Sequence, residues 1–151
     1  IVPNGTDFFI GMITNTVNLG SPTAPGEAIF YYYHPEQIGA FGDITELDAP
    51  QSASLTNQWY CEELEIKANT IGQHDGYLKI WINDVFKGQV SNLRFRDTTD
   101  LRVNAVQITN SGGGPQVEHK WFDNIVVNDT QIGCSITGSL NAPTNLQVTV
   151  P

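Results

Sequence analysis

Apolar side chains in this chain recur at every second position in short runs, and no segment holds them at helical spacing over three turns. Gly, Asn, Asp and Pro bound the runs, as they do where extended strands reverse. Residues 8–17, 28–34, 58–68, 76–82, 85–90, 101–109 and 119–127 are therefore predicted strands. Asn83-Asp84 is the whole link between Ile82 and Val85, a two-residue turn of the kind that closes a β-hairpin. Strands at this spacing, without intervening helices, predict an all-β domain: two antiparallel sheets packed as a β-sandwich or jelly roll.

Alternation also assigns faces. In the predicted strand from Trp59 to Ala68, Leu64, Ile66 and Ala68 share one face and Trp59, Cys61, Glu63, Glu65 and Lys67 the other. Leu78, Ile80 and Ile82 continue the core side, which leaves Tyr77, Lys79 and Trp81 on an aromatic and basic outer face.

The length of 151 residues suits one core. Residues 1–132 read as the sandwich and 133–151 as a linker-like tail, in which 141–150 resembles the opening strand of a fibronectin type III module. The start, Ile1-Val2-Pro3-Asn4-Gly5, has neither part of a signal peptide, so the chain reads as a mature or excised piece of a larger protein. A formal net charge of −9 sets aside nucleic acid and anionic membranes as partners. No apolar run approaches the roughly 20 residues of a membrane span. All seven basic residues lie at or after Lys67, whereas positions 1–66 carry nine acidic residues and none that is basic.

Cys61 and Cys134 are an even count, expected in a secreted chain to pair and tie the tail to a central strand; one buried thiol and one tail thiol is the alternative. Asn4-Gly5-Thr6 and Asn128-Asp129-Thr130 fit the glycosylation sequon.

Phosphate loops, zinc spacings, nucleophile elbows and His-Glu-x-x-His are absent from the sequence. Gly112-Gly113-Gly114 lacks the Lys of a phosphate loop and reads as a flexible turn. Glu63 and Glu65 share a strand face, as a retaining glycosidase would need for carboxyls roughly 5–5.5 Å apart; a solvated strand face is the plainer reading. Tyr31, Tyr33, Tyr77 and Trp81 could offer flat rings to the apolar faces of sugars, or could pack inside the sandwich. Arg94 and Arg96 could grip uronate carboxylates, or pair with Asp97 and Asp100. His34, His74 and His119 are candidate bases.

The stretches Tyr31-Tyr32-Tyr33-His34-Pro35-Glu36-Gln37 with Gly42-Asp43, Trp59-Tyr60-Cys61-Glu62-Glu63, Asn69 to Trp81, Leu93-Arg94-Phe95-Arg96-Asp97, and Phe122-Asp123-Asn124-Ile125-Val126-Val127 together cover about residues 28–127. Along them the chain resembles jelly-roll alginate and glucuronan lyases of the concanavalin-A-like kind, notably polysaccharide lyase family 14. The resemblance implies proton abstraction beside a uronate carboxyl followed by β-elimination, which needs a base, an acid and a cation. It places the family's tyrosine pair on Tyr31 and Tyr33. The family's Ser and Arg on the preceding strand fall on Phe9 and Gly11, and its earlier strands with the catalytic Lys have no counterpart, so the chain reads as an N-terminally incomplete, degenerate relative. Asp123, on the closing strand, is implied as a ligand of a structural Ca²⁺.

The expectation is thus a non-catalytic, polysaccharide lyase-like carbohydrate-binding module of a secreted, multi-domain protein. Its expected sugar contacts are Tyr31, Tyr33, His34, Gln37, Tyr77, Lys79, Trp81, Arg94 and Arg96. Its partners would be a polysaccharide and neighbouring domains, with no cofactor required beyond that calcium. Two alternatives stand beside it: an active lyase working through Tyr31, Tyr33 and His34, and a structural or adhesive extracellular module.

Overall fold

The computed structural model describes residues 1–16, 26–48, 58–109 and 120–134. Among them are six strands and no helix: β1 (Ile10–Thr16), β2 (Glu27–Tyr33), β3 (Asp43–Glu46), β4 (Glu62–Lys67), β5 (Gly76–Ile82) and β6 (Val85–Leu93). No helix long and apolar enough to cross a membrane occurs among these residues.

The strands form two antiparallel sheets, ordered β1-β2-β3 and β4-β5-β6. Inward-facing Ala28, Phe30 and Tyr32 of β2 meet Leu78, Ile80 and Ile82 of β5, with Leu47, Leu93 and Phe95 completing one core. Leu64 and Ile66 pack against it from β4, as alternation predicts. The sheets approach closely at Gly11, where an added Cβ would lie 2.6 Å from Leu78 Cδ2 and 3.1 Å from Ile66 Cδ1. Beside it the Phe9 ring packs on Phe95 at 5.0 Å. The all-β sandwich is therefore observed.

The hairpin between β5 and β6 follows from its two link residues. Asn83 and Asp84 have φ of 51° and 63°, the left-handed pair that a two-residue turn of type I′ requires. Both side chains also accept the amide of a cysteine. Asn83 Oδ1 accepts the Cys61 amide at 3.0 Å, and the Asn83 amide donates to the Cys61 carbonyl at 2.9 Å. Asp84 Oδ1 accepts the Cys134 amide at 2.6 Å, and Glu63 accepts the amides of Ile132 and Gly133 at 2.7 and 3.1 Å. Cys61 and Cys134 are joined by a disulfide, with Cα atoms 5.8 Å apart.

Several sequence expectations change. Residues 101–109 and 120–127 are not strands. Their alternating residues stay exposed, Val106 at 62% and Val127 at 71%, and alternation becomes a strand only where a neighbouring backbone pairs with it. β4 starts at Glu62, four residues after the expected start at Gln58, and β6 runs on to Leu93 through register shifts opposite Gly76–Leu78 and Ile80–Trp81. β3 was not foreseen, because Asp43-Ile44-Thr45-Glu46 is short and half polar. Gly112–Gly114, His119 and the fibronectin-like stretch 141–150 lie outside the described residues.

Candidate functional site

Strand β2 presents Ile29, Tyr31 and Tyr33 on the face turned away from Phe30 and Tyr32. Register then sets their neighbours: Met12 opposite Tyr31 and Ile10 opposite Tyr33 on β1, and Ile44 opposite Tyr31 on β3. The two phenols share a hydrogen bond at 2.9 Å, and their rings meet edge to face at 5.4 Å between centroids. The amide of Gly42 donates to Tyr31 Oη at 3.2 Å, which seats the β2–β3 loop against the pair. The hydrogen bond to Tyr33, with desolvation behind it, pushes the Tyr31 phenol above its ordinary value. A depression of about 290 Å³ lies alongside, lined by Thr14, Ile29, Tyr31, Phe41, Gly42 and Ile44.

The expected sugar-contacting residues do not share one surface. Tyr77, Lys79 and Trp81 occupy the outer face of the second sheet, and the whole core separates them from Tyr31 and Tyr33. On that second face Tyr77 donates to Glu65, Lys79 lies 3.4 Å from Glu65 and 4.2 Å over the Tyr77 ring, and Trp81 meets Phe86 at 5.5 Å. A single groove holding Tyr31, Tyr33 and Trp81 is therefore not formed.

His34 and Gln37 sit beside the tyrosines in sequence but not in their surface. The His34 ring is buried with Tyr32 on the inward side, 5.4 Å between centroids, and its Nε2 is 2.8 Å from Asp43 Oδ2. Gln37 is buried and fully engaged: Oε1 accepts the His34 amide, while Nε2 donates to the carbonyls of Gly39 and Phe41. Both shape the β2–β3 loop that carries Gly42.

The two arginines part as well. Arg94 holds Asp97 through Nε at 2.8 Å and Nη2 at 2.5 Å, and reaches Glu36 at 3.5 Å. That contact keeps the Asp97 carboxyl below the usual range. Arg96 instead donates to the backbone carbonyls of Asn69 and Leu101. His74 pairs with Glu36 at 2.8 Å. Glu63 and Glu65 share a face as expected, with Glu63 committed to the tail amides and Glu65 to Tyr77 and Lys79. Asp123 Oδ1 accepts the amide of Asn124, and no group of three or more His, Cys, Asp or Glu gathers among the described residues.

Phe9 and Gly11, the positions to which the sequence resemblance assigned a Ser and an Arg, face inward. The residues that do flank the tyrosines, Ile10, Met12, Ile44 and Phe41, were missed because strand register and a loop path bring them there.

No family model matches the chain, and no curated protein does. Two solved structures are similar over part of it: alginate lyase Aly36B, and a double mutant of Aly36B in complex with alginate trisaccharide. Each is 31% identical, with a TM-score of 0.41, over 53% of this chain. The match spans 34% of each lyase's own length. Both are polysaccharide lyases, and neither points to family 14 in particular.

Proposed function

We propose that this chain is a non-catalytic carbohydrate-binding module of an extracellular protein, and that its binding surface is the outer face of the β1-β2-β3 sheet. The observation that carries this is the hydrogen-bonded Tyr31–Tyr33 pair set among Met12, Ile29, Ile44 and Phe41 beside a shallow depression. Aromatic rings flanked by apolar side chains suit the C–H faces of sugars, and phenol oxygens suit their hydroxyls. Binding without elimination is favoured by the state of the Tyr31 phenol. A base should titrate near working pH, yet the Tyr31 phenol is held above its ordinary value, and no cation stands on β1, β2 or β3 beside it. The disulfide suits an oxidising, extracellular setting.

The lyase reading keeps one point in its favour, the matched tyrosine pair, and the same experiment weighs both. The chain is incubated with alginate, glucuronan and neutral glycans while unsaturated product is followed by absorbance, in parallel with affinity electrophoresis. Retardation without product supports a binding module. Product at catalytic rates overturns it.

A further inference from the structure

Resting on the reading of the first sheet's outer face as a glycan site, we infer that this face takes several consecutive sugars of a single extended chain, with Phe41 as an outer contact held in place by Gln37. A set of neighbouring rings carries the inference. Tyr31 and Tyr33 lie 5.4 Å apart between centroids, and the Phe8 ring lies 6.2 Å from that of Tyr33. Phe8 takes this side because its neighbour Phe9 turns inward onto Phe95. Phe8 thus reaches the tyrosines from the β1 side, while Phe41, in the β2–β3 loop, lines the depression with Tyr31.

Phe41 is 78% exposed and Ile38, in the same loop, 100%. A loop free to relax would fold such side chains down, because water disfavours apolar surface. Gln37 opposes this. It is buried, its Nε2 donates to the carbonyls of Gly39 and Phe41 at 2.9 and 3.0 Å, and its Oε1 accepts the His34 amide at 3.2 Å. Moving the loop would leave that amide group unpaired in the interior. Gly42 completes the seat: an added Cβ would lie 2.7 Å from the Tyr32 carbonyl oxygen and 2.9 Å from the Tyr33 ring, so glycine lets the loop press on the pair. An exposed ring on a backbone fixed in advance binds without the entropy cost of ordering a loop.

The tilts indicate the form of the ligand. Tyr31 and Tyr33 meet at 72° and Phe8 and Tyr33 at 46°, so the rings share no plane. A crystalline polysaccharide presents a flat surface, which a coplanar set would match. A single chain turns from sugar to sugar and follows rings that turn. One pyranose is similar in size to one phenyl ring, so a lone sugar leaves most of the set unused.

The test is calorimetric titration of the full chain with alginate, β-1,4-glucan and β-1,4-mannan oligosaccharides from monosaccharide to hexasaccharide, beside pull-down on crystalline cellulose and chitin. In the series that binds, affinity should rise at least about tenfold from disaccharide to tetrasaccharide and then level off. Phe41→Ala should weaken the tetrasaccharide about tenfold and the disaccharide far less, and Phe41→Tyr should restore binding. Gln37→Glu, which keeps the acceptor and loses the donor, should weaken the tetrasaccharide in the parent but add nothing to Phe41→Ala. Equal affinity for disaccharide and hexasaccharide overturns the inference, as does a Phe41→Ala protein that binds the tetrasaccharide unchanged, or adsorption to the crystalline powders without binding of soluble oligosaccharides. A full additional loss from Gln37→Glu in the Phe41→Ala background overturns the positioning role of Gln37. Binding to none of these probes would instead sink the reading of the face as a glycan site.

Discussion

Asn69 grips the backbone of Arg96 from both sides: its Oδ1 accepts the Arg96 amide at 2.9 Å and its Nδ2 donates to the Arg96 carbonyl at 3.0 Å. The same side chain, fully buried, accepts the Phe95 amide at 2.8 Å and donates to the carbonyls of Thr70 and Gln73. It thus acts as a strand edge for a segment that has left β6. Asn69→Ala would strand the buried Phe95 and Arg96 amides, at about 1–3 kcal/mol for each group left unsatisfied. Urea unfolding should show a loss of at least about 2 kcal/mol, and Asn69→Asp, which keeps the acceptor but loses the donor, should not restore it.

The disulfide closes a sequence separation of 73 residues. On the chain-entropy model such a loop is worth roughly 3–5 kcal/mol. The Cys61→Ser/Cys134→Ser protein should lose about that much in denaturant melts, and reductant should lower the melting temperature of the parent but leave the double variant unchanged.

Asp75 accepts Lys67 Nζ at 2.9 Å and the amide and hydroxyl of Thr70 at 2.6 and 2.9 Å. These contacts, Lys67 first, hold its carboxyl well below the ordinary Asp value of 3.8. A carboxyl depressed in the folded state adds stability above its unfolded value, and that stability is lost as pH falls toward the folded one. Asp75→Asn should therefore lower the urea midpoint at pH 7, with a difference from the parent that shrinks once pH drops below 3.8. A difference independent of pH would contradict the assignment.

If Tyr31 contacts sugar as a neutral phenol, glycan affinity should stay flat from about pH 6 to pH 9, because its hydrogen bond to Tyr33 and its desolvation push that phenol above its ordinary value. Tyr33→Ala should weaken binding about tenfold, the scale of one aromatic contact, in calorimetric titration. Affinity rising or falling steeply across that interval would count against neutral phenols.

Gly11→Ala would set a methyl 2.6 Å from Leu78 Cδ2, inside a packed core. Overpacking of this kind costs typically about 1–3 kcal/mol, measurable by thermal melting, and an added Leu78→Ala should recover part of the loss.

Much of the second sheet was legible in the chain itself. Leu78, Ile80 and Ile82 alternate with Tyr77, Lys79 and Trp81, and Asn83-Asp84 can adopt the left-handed pair that turns β5 into β6. The first sheet was legible in β2 and less so in β3, where four half-polar residues carry little pattern. Residues 101–109 show the opposite failure: good alternation without a partner strand among the described residues to use it.

The candidate site divides along the same line. Tyr31 and Tyr33 could be read as a pair, since positions two apart on a strand share a face. That Met12 rather than Gly11 stands beside Tyr31 depends on the β1–β2 register, which shifts an entire face when it slips by one residue. Grouping Trp81 with the tyrosines failed because alternation tells which residues leave a core but not which of two sheets they leave it from.

The sequence alone determined that this is an all-β chain, that Cys61 and Cys134 could pair, and that its first 66 residues bring no basic side chain to any surface. Those are properties of local periodicity and composition, present before folding. Only the tertiary structure decided that the two aromatic sets lie on opposite outer faces, that Arg94, Arg96, His34 and Gln37 are held by partners within the chain, and that Phe9 and Gly11 face the second sheet. The two faces and the inward turn of Phe9 and Gly11 depend on contacts between residues far apart in the chain, where packing of one sheet on the other sets the outcome; Arg94, His34 and Gln37 depend on loop conformations that bring near neighbours within reach.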